Sequence, residues 1–596
     1  MPGARTWHGG GQVVLCLVLL AGCALPAPPP QPQPEAASGW TPKPGWQAQR
    51  FMVAAAHPLA ADAGRQILRA GGSALDAAIA VQMVLALVEP QSSGLGGGAF
   101  MLAWDGQALA AWDGRETAPA AADERLFLGP DGRPPSVADV TYGGRAVGTP
   151  GALKMLEAAH RESGVLPWAR LFEPAIALAE DGFPVGARLH SMLLAEPRLK
   201  ADPQARAYFF DPSGEPWPVG HRLRNPALAA LLRDIARQGS DALHRGPVAA
   251  DLVRRVRSHA LPGRLSEADL AGYRPVRREA LCAVWRLWRV CGMPPPSSGQ
   301  LALMQILGIA EHLAMPPVAA DGVPGADWLH RHAEASRLAF ADRAAYVADP
   351  DFVAAPGGGW ASLLAPAYLK QRAALVGDRA MPRVTAGQPP GGTLSRAPMA
   401  EQPEQGTSHV SVVDAQGRAV SLTSSIEAAF GARMMADGGT GLPGGFLLNN
   451  QLSDFAWVPA DAQGRPVANR VQPGKRPRSS MSPTLVFDAA SGRLVMAVGS
   501  AGGSHIIQYT ARALLGTLAW GMAPQALLAA PNFSVTGGPL LLEAGRFPPA
   551  TAAALVARGH AVQEQALTSG TQVVLRSGPT WAGAADPRRE GVASGD

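Results

Sequence analysis

The chain has 596 residues, 47% of them hydrophobic and 17% charged, which suits a soluble globular protein with a large core or several domains. Its formal net charge of +5 rests almost wholly on arginine, and the arginines alternate with acids except in the denser stretch Arg274 to Arg289. No zinc finger, P-loop or RNA-recognition pattern accompanies the charge, so it reads as solvated surface and not as a nucleic-acid footprint.

Arg5 and His8 precede a short apolar run, Val13 to Leu20, and then Leu20-Ala21-Gly22-Cys23. A basic start, a brief apolar core and small residues before a cut site describe a signal peptide, here residues 1–22; the run is too short to span a membrane. The Pro-rich stretch that follows makes 23–49 an extended tether. From Phe51 to Phe100 the pattern is strand, Ala-rich helix over Ala60 to Glu89, then a Gly-rich turn at Gly94 to Gly98. That turn lacks the Gly-Lys-Ser/Thr of a phosphate loop, so its glycines are expected to serve close packing. Helical spacing continues over Ala152 to Ser163, Leu171 to Glu180, Pro226 to Gln238 and Trp328 to Tyr346.

Between these helices, Leu281 to Trp285 and Trp288 to Cys291 alternate like the arms of a hairpin turning at Arg286-Leu287. Counting outward from Trp285 and Trp288 places Cys282 opposite Cys291. If the Trp pair is hydrogen-bonded, the Cys pair is not, and its Cα atoms are close enough to bridge. Arg-Leu is a poor type I′ turn, so two free thiols remain the alternative. No CxxC or HExxH pattern signals a metal, and no cofactor is expected.

Pro382 to Pro403 is rich in Pro and Gly and reads as a flexible, disordered linker. It ends at Gly406-Thr407, where β-rich runs begin: Val410 to Val413 and Ala419 to Thr423 around the turn Asp414 to Gly417, then Thr484 to Asp488 and Leu494 to Gly499. A Thr hydroxyl is a weak nucleophile and needs a base. If the chain is cut before Thr407, its new α-amine, with a reference pKa of about 7.7–8.0, can accept the hydroxyl proton. Gly406 has no side chain to block that cut.

Gly-Thr alone is weak evidence, but Thr407-Ser408-His409-Val410-Ser411-Val412-Val413-Asp414 resembles the processing site of the γ-glutamyltransferases. Six further blocks are similar to that family's and stand in its order: Gly114 to Pro119, Pro294 to Gly299, Gly445 to Phe455, Pro473 to Pro483, Gly499 to Ser504 and Ala585 to Arg589. The resemblance implies an α+β fold, the four-layer αββα sandwich of the N-terminal-nucleophile (Ntn) hydrolases, shared by a large chain, 50–406, and a small chain, 407–596. It also implies self-cleavage before Thr407, followed by transfer of a γ-glutamyl group to water or to an amino acid or dipeptide acceptor.

A γ-glutamyl substrate carries an α-carboxylate and an α-ammonium away from its scissile amide. By the same resemblance Arg115 offers its planar fork to the carboxylate, with hydroxyls from Ser479 and Ser480. Asp454 accepts from the ammonium, with Gln451 and Glu427 as further candidates. Adjacent N–H groups of Gly502 and Gly503 form the oxyanion hole, and Ser425, where many members have Thr, helps orient Thr407. Glu427 stands where many have Asn and Ala501 where many have Pro, which puts the acceptor and acyl preference in doubt.

Two other readings compete: a glutaryl-cephalosporin acylase of the same superfamily, whose acyl group lacks the ammonium and gives Asp454 less reason to be present, and an inactive surface lipoprotein. Cys23 after Leu-Ala-Gly resembles a lipobox, which implies a lipid-anchored periplasmic enzyme. An oxidising periplasm favours a Cys282–Cys291 bond.

Overall fold

The computed structural model describes residues 3, 4, 35, 37–393 and 395–596. Gly3 and Ala4 belong to a separate unit, Met1–Pro32; all that follows concerns the unit Gln33–Asp596. The signal peptide and Cys23 lie outside the described residues.

Two seven-stranded antiparallel sheets stack face to face. One runs in the order Val592–Gly595, Met52–Ala55, Ser408–Val413, Ala419–Ser425, Gly98–Trp104, Leu109–Gly114 and Val276–Arg278. The other runs Trp46–Ala48, Thr580–Ala585, Gln572–Ser577, Leu494–Gly499, Thr484–Asp488, Trp288–Gly292 and Leu281–Trp285. Strands from both sides of residue 407 interleave in each sheet, so neither segment can bury its faces alone.

The strand period of two sorts side chains into layers. Met52, Ala54, Phe100 and Leu102 meet Leu485, Phe487 and Ala497 between the sheets. Their neighbours Val53, Ala55, Ala99 and Met101 face outward, under the helices Pro58–Arg69 and Ala74–Val88. The helices Gly299–Ala310, Ala326–Tyr346 and Ile506–Leu514 cover the second sheet through Leu303, Leu329, Ile507 and Val498. The result is the expected αββα sandwich. Among the described residues no helix is long and apolar enough to cross a membrane.

The helix expected over Ala60 to Glu89 is two helices. The first stops at Ala70, and Ser73 caps the second in a reciprocal box with Asp76. The helix expected from Leu171 runs Glu173–Asp181, preceded by a 3₁₀ turn over Trp168–Phe172, because Pro174 suits the first turn of an α-helix. The tether expected to reach residue 49 ends earlier, since Trp46–Ala48 already pairs with Thr580–Ala585 as an edge strand. Among its described residues the linker before Gly406 has no helix or strand, yet part of it is pinned. Ala397 and Met399 are buried, Met399 N donates to Ala344 O, and Gln402 Nε2 donates to Phe455 O. Proline and glycine removed the ladder without removing the contacts.

The hairpin has the anticipated register, with Trp285 opposite Trp288 and Cys282 opposite Cys291. Arg286 takes φ 55° to make the turn, and the two cysteines are disulfide-bonded with Cα atoms 4.0 Å apart. The Arg274 to Arg289 stretch meets acids: Arg277 pairs with Glu162, Arg278 with Asp113 and Asp351, and Arg286 with Glu311.

Candidate active site

Thr407 precedes the strand Ser408–Val413, which lies between Met52–Ala55 and Ala419–Ser425 in the middle of its sheet. Because Ser408 faces Ser424, Ser425 falls beside Thr407. In the uncut chain the Thr407 hydroxyl donates to the Gly406 carbonyl oxygen at 2.5 Å, and Ser425 Oγ donates to the same oxygen at 2.7 Å. Gly406 sits at φ +36°, and a Cβ there would run into the Glu427 carbonyl oxygen. The Gly406–Thr407 bond is thus held in a backbone geometry only glycine fits, with the Gly406 carbonyl polarised by two hydroxyls. Gly97 packs as closely on the Ser425 carbonyl, and Gly96 and Gly98 are equally crowded, so these three serve packing as expected, whereas Gly94 faces open space.

A buried ion cluster lies behind Thr407. Thr407 N donates to Glu35 Oε1 at 2.9 Å, and Ser408 Oγ donates to Glu89 Oε2 at 2.8 Å. Arg188 pairs with Glu35 and Glu89, and Arg589 binds Glu89 at 2.9 Å and Glu35 at 3.5 Å. Burial pushes the Glu89 carboxyl up, but Arg589 and Arg188 outweigh it and hold it below the usual carboxylate range. Buried charges persist only when compensated this fully. Sequence reading gave no role to Glu35, Glu89 or Arg188; the one local signal was an acid, Glu89, directly after the apolar run Met83 to Val88.

The side wall is a 3₁₀ turn, Gln451–Asp454, joined to Ser425 through hydrogen bonds. Ser425 Oγ accepts from Glu427 N at 2.8 Å, Asn450 Nδ2 donates to the Glu427 carboxyl, and Gln451 Nε2 donates to Asp454 Oδ2 at 2.7 Å. Glu427 adopts φ 75°, a left-handed conformation that non-glycine residues rarely take. Burial, then the nearby Asp454 charge, pushes its carboxyl up to about 8. Asp454 is also raised, by burial against the opposing pull of Arg115. Two buried acceptors here, Asp454 Oδ1 and Gln451 Oε1, have no donor.

Arg115 is 1% exposed and already committed. Its Nη2 pairs with Asp454 and donates to Arg478 O at 2.9 Å, while Nε donates to Pro477 O at 3.2 Å. Arg115 therefore ties the Asp454 wall to the segment carrying Ser479 and Ser480. Ser480 Oγ donates to Glu404 Oε2 at 2.5 Å and accepts from Arg343 Nη2 at 2.7 Å. Ser479 Oγ accepts from Met481 N at 3.1 Å and so shapes its own loop. Gly502 and Gly503 follow the strand Leu494–Gly499, whose last residue packs on His409, two places after Thr407. Both glycines have positive φ, 128° and 55°.

Residues 60–596 match the family described as gamma-glutamyltranspeptidase. The chain belongs to that family. It is 36% identical over 491 residues to a glutathione hydrolase proenzyme of Bacillus subtilis (strain 168), covering 81% of this chain and 80% of that one. It is 35% identical to a glutathione hydrolase proenzyme of Escherichia coli (strain K12), covering 91% of each. Among solved structures, a cephalosporin acylase from Bacillus halodurans superposes with TM-score 0.79 at 28% identity, over 96% of this chain and 99% of that one. In this family the Thr407 strand, the Asp454 wall and the glycine pair all fall in the matched region.

Proposed function

We propose that the precursor cuts itself between Gly406 and Thr407, and that the product transfers γ-glutamyl groups from glutathione and related amides to water or to an amino acid or short peptide. The observation that carries the donor class is the pair of buried acceptors without a donor, Asp454 Oδ1 and Gln451 Oε1. An unpaired buried acceptor costs about 1–3 kcal/mol, and the α-ammonium of a γ-glutamyl group supplies the missing donors. Its positive charge also favours the ionised forms of Asp454 and Glu427, which burial otherwise opposes. The glutaryl group of a cephalosporin acylase substrate brings no such donor, although the acylase likeness in overall structure keeps that activity as the second reading.

For cleavage, the Thr407 hydroxyl oxygen attacks the Gly406 carbonyl carbon while Ser425 Oγ stabilises the oxyanion. The hydroxyl proton passes to the nitrogen as the C–N bond breaks, which leaves an ester between Gly406 and Thr407 Oγ1 and a free Thr407 α-amine. Water opens the ester, giving a Gly406 carboxylate and restoring the Thr407 hydroxyl beside its α-amine. In turnover that amine accepts the hydroxyl proton as Oγ1 attacks the γ-amide carbonyl. The Gly502 and Gly503 N–H groups take the oxyanion, the proton passes to the leaving amine, and water or an acceptor amine releases the γ-glutamyl group from Thr407.

Cys23 supports a lipid-anchored, periplasm-facing location, with Cys23→Ser expected to move the protein from the membrane to the soluble fraction. The activity is tested by kinetics with glutathione and a γ-glutamyl anilide, with and without a dipeptide acceptor. Release of γ-glutamyl product from both donors supports the reading; turnover of glutaryl but not γ-glutamyl amides replaces it with the acylase.

A further inference from the structure

Glu35 lies 372 positions before Thr407, yet Thr407 N donates to its Oε1 at 2.9 Å. The carboxylate is buried, and its other oxygen, Oε2, is held by Arg188 and, at 3.5 Å, by Arg589 Nη1. The segment just after Glu35 is seated by contacts of its own. Ser38 N donates to Arg588 O and Thr41 N to Pro587 O, both at 2.9 Å. Lys43 Nζ donates to Gly591 O, and the Arg588 guanidinium stands 5.0 Å over the Trp40 ring. Trp46–Ala48 then joins the sheet as its edge strand. The segment ahead of the first core strand thus follows Pro587–Gly591, whose Arg589 belongs to the ion cluster, and Glu35 reaches Thr407.

This position matters once the Gly406–Thr407 bond is open. The Thr407 nitrogen is then the amine that takes the Oγ1 proton, and it turns freely about its Cα–N bond unless something holds it. In the uncut chain its one N–H already points to Glu35. Its remaining bond goes to the Gly406 carbonyl carbon, whose oxygen lies 2.5 Å from Thr407 Oγ1. With the N–H kept on Glu35, the direction which that carbon vacates, beside Oγ1, is left to the lone pair. The charges allow this. A lone carboxylate at such a distance favours the protonated amine, but Glu35 and Glu89 face Arg188 and Arg589, two formal charges of each sign. Next outward, Glu590 accepts from Arg188 N at 3.2 Å with Lys43 beside it, and burial pushes His57 down. His409, on the Thr407 strand, is pushed down to about 3 by burial. Beside Gly406, Glu404 pairs with Arg343, and burial pushes the Glu427 carboxyl up to about 8.

We propose that Glu35 is a positioning residue for turnover: its carboxylate holds the Thr407 α-amine with the lone pair toward Oγ1, which makes the segment ahead of the first core strand part of the active site. Arg188 and Arg589 hold Glu35 in place, while Glu89 fixes the next residue through Ser408 Oγ at 2.8 Å. The inference rests on Thr407 as the nucleophile and is indifferent to which acyl group it takes.

Glu35→Gln removes the charge and keeps an acceptor; Glu35→Ala removes both. With γ-glutamyl- and glutaryl-p-nitroanilide as the two test substrates, full-length Glu35→Ala is expected to lose about tenfold or more in kcat with KM little changed, and Glu35→Gln to recover part of the loss. Because Glu427 also titrates near 8, the amine is read directly with cyanate, which carbamylates only its unprotonated form, and mass spectrometry of the small chain. Either variant leaves the cluster with positive charge in excess. The midpoint of labelling against pH should therefore fall by about one pH unit from its value in the natural enzyme. An unmoved midpoint overturns the proposal whatever happens to kcat, since a merely structural glutamate would lower stability without touching the amine. Unchanged kcat in Glu35→Ala overturns it too. A Glu35→Gln protein that stays one chain places Glu35 in cleavage and not in turnover, and also overturns it. Should the natural enzyme cleave neither anilide, the substrate reading fails by itself and the cyanate midpoint still judges Glu35.

Discussion

Ser425 Oγ links the Gly406–Thr407 bond to Glu427: it donates to Gly406 O at 2.7 Å and accepts from Glu427 N at 2.8 Å. One hydroxyl thus polarises the Gly406 carbonyl and is itself oriented by Glu427, so the proposed cleavage and the proposed ammonium site share it.

Ser425→Ala removes that donor and should slow self-cleavage about 10²–10³-fold, the usual cost of an oxyanion donor. Ser425→Thr should retain most of the rate. The check is the time course of large- and small-chain bands from freshly purified precursor. Cleavage at the natural rate in Ser425→Ala removes the hydroxyl from the mechanism.

Asp454→Asn should penalise γ-glutamyl substrates more than glutaryl ones, by about 1–3 kcal/mol in kcat/KM, because only the former present an ammonium to Asp454. Paired kinetics on the two anilides read the difference. Equal losses would move the ammonium site elsewhere.

Buried histidines should make the fold acid-sensitive. His244, His332 and His505 are pushed down to about 4 by burial, and His409 to about 3. Since these folded values lie below the ordinary 6.5, the unfolded chain binds more protons between pH 6.5 and 4. Their contribution is complete above pH 6.5 and is lost as pH falls toward 4, by about 1.4 kcal/mol per pH unit for each histidine. Urea unfolding at pH 6.5 and pH 5 should show the fall, and His332→Gln should make it shallower by about one such increment. An identical pH dependence in the variant contradicts the assignment.

The Cys282–Cys291 bond closes a short loop, and replacing both cysteines by serine should cost about 2–3 kcal/mol. Unreduced, denatured mature protein should show no reactive thiol from this pair. Two reactive thiols there would remove the bond.

Much of this was readable wherever the signal was local. Ala152–Ser163 and Pro226–Gln238 are helices, and Thr484–Asp488 and Leu494–Gly499 are strands, at the boundaries that periodicity sets. The hairpin register followed from counting, because side chains alternate strictly along strands. The ion cluster was not readable. Glu89 and Arg589 meet across 500 positions of sequence, and such a pair leaves no periodic trace. Nor was the commitment of Arg115 to Asp454 visible, since a motif names residue types and not the partners that satisfy them. Pinning of the Pro- and Gly-rich segment was hidden for a related reason: composition reports lost ladders, whereas Gln402 and Met399 are held by contacts far along the chain.

The most direct test of the account is N-terminal sequencing of the small chain, beside a gel of Thr407→Ala. The account predicts a small chain beginning Thr407-Ser408-His409 and a Thr407→Ala protein that stays one chain and is inactive on γ-glutamyl amides. A small chain that starts elsewhere, or normal cleavage in the variant, contradicts it.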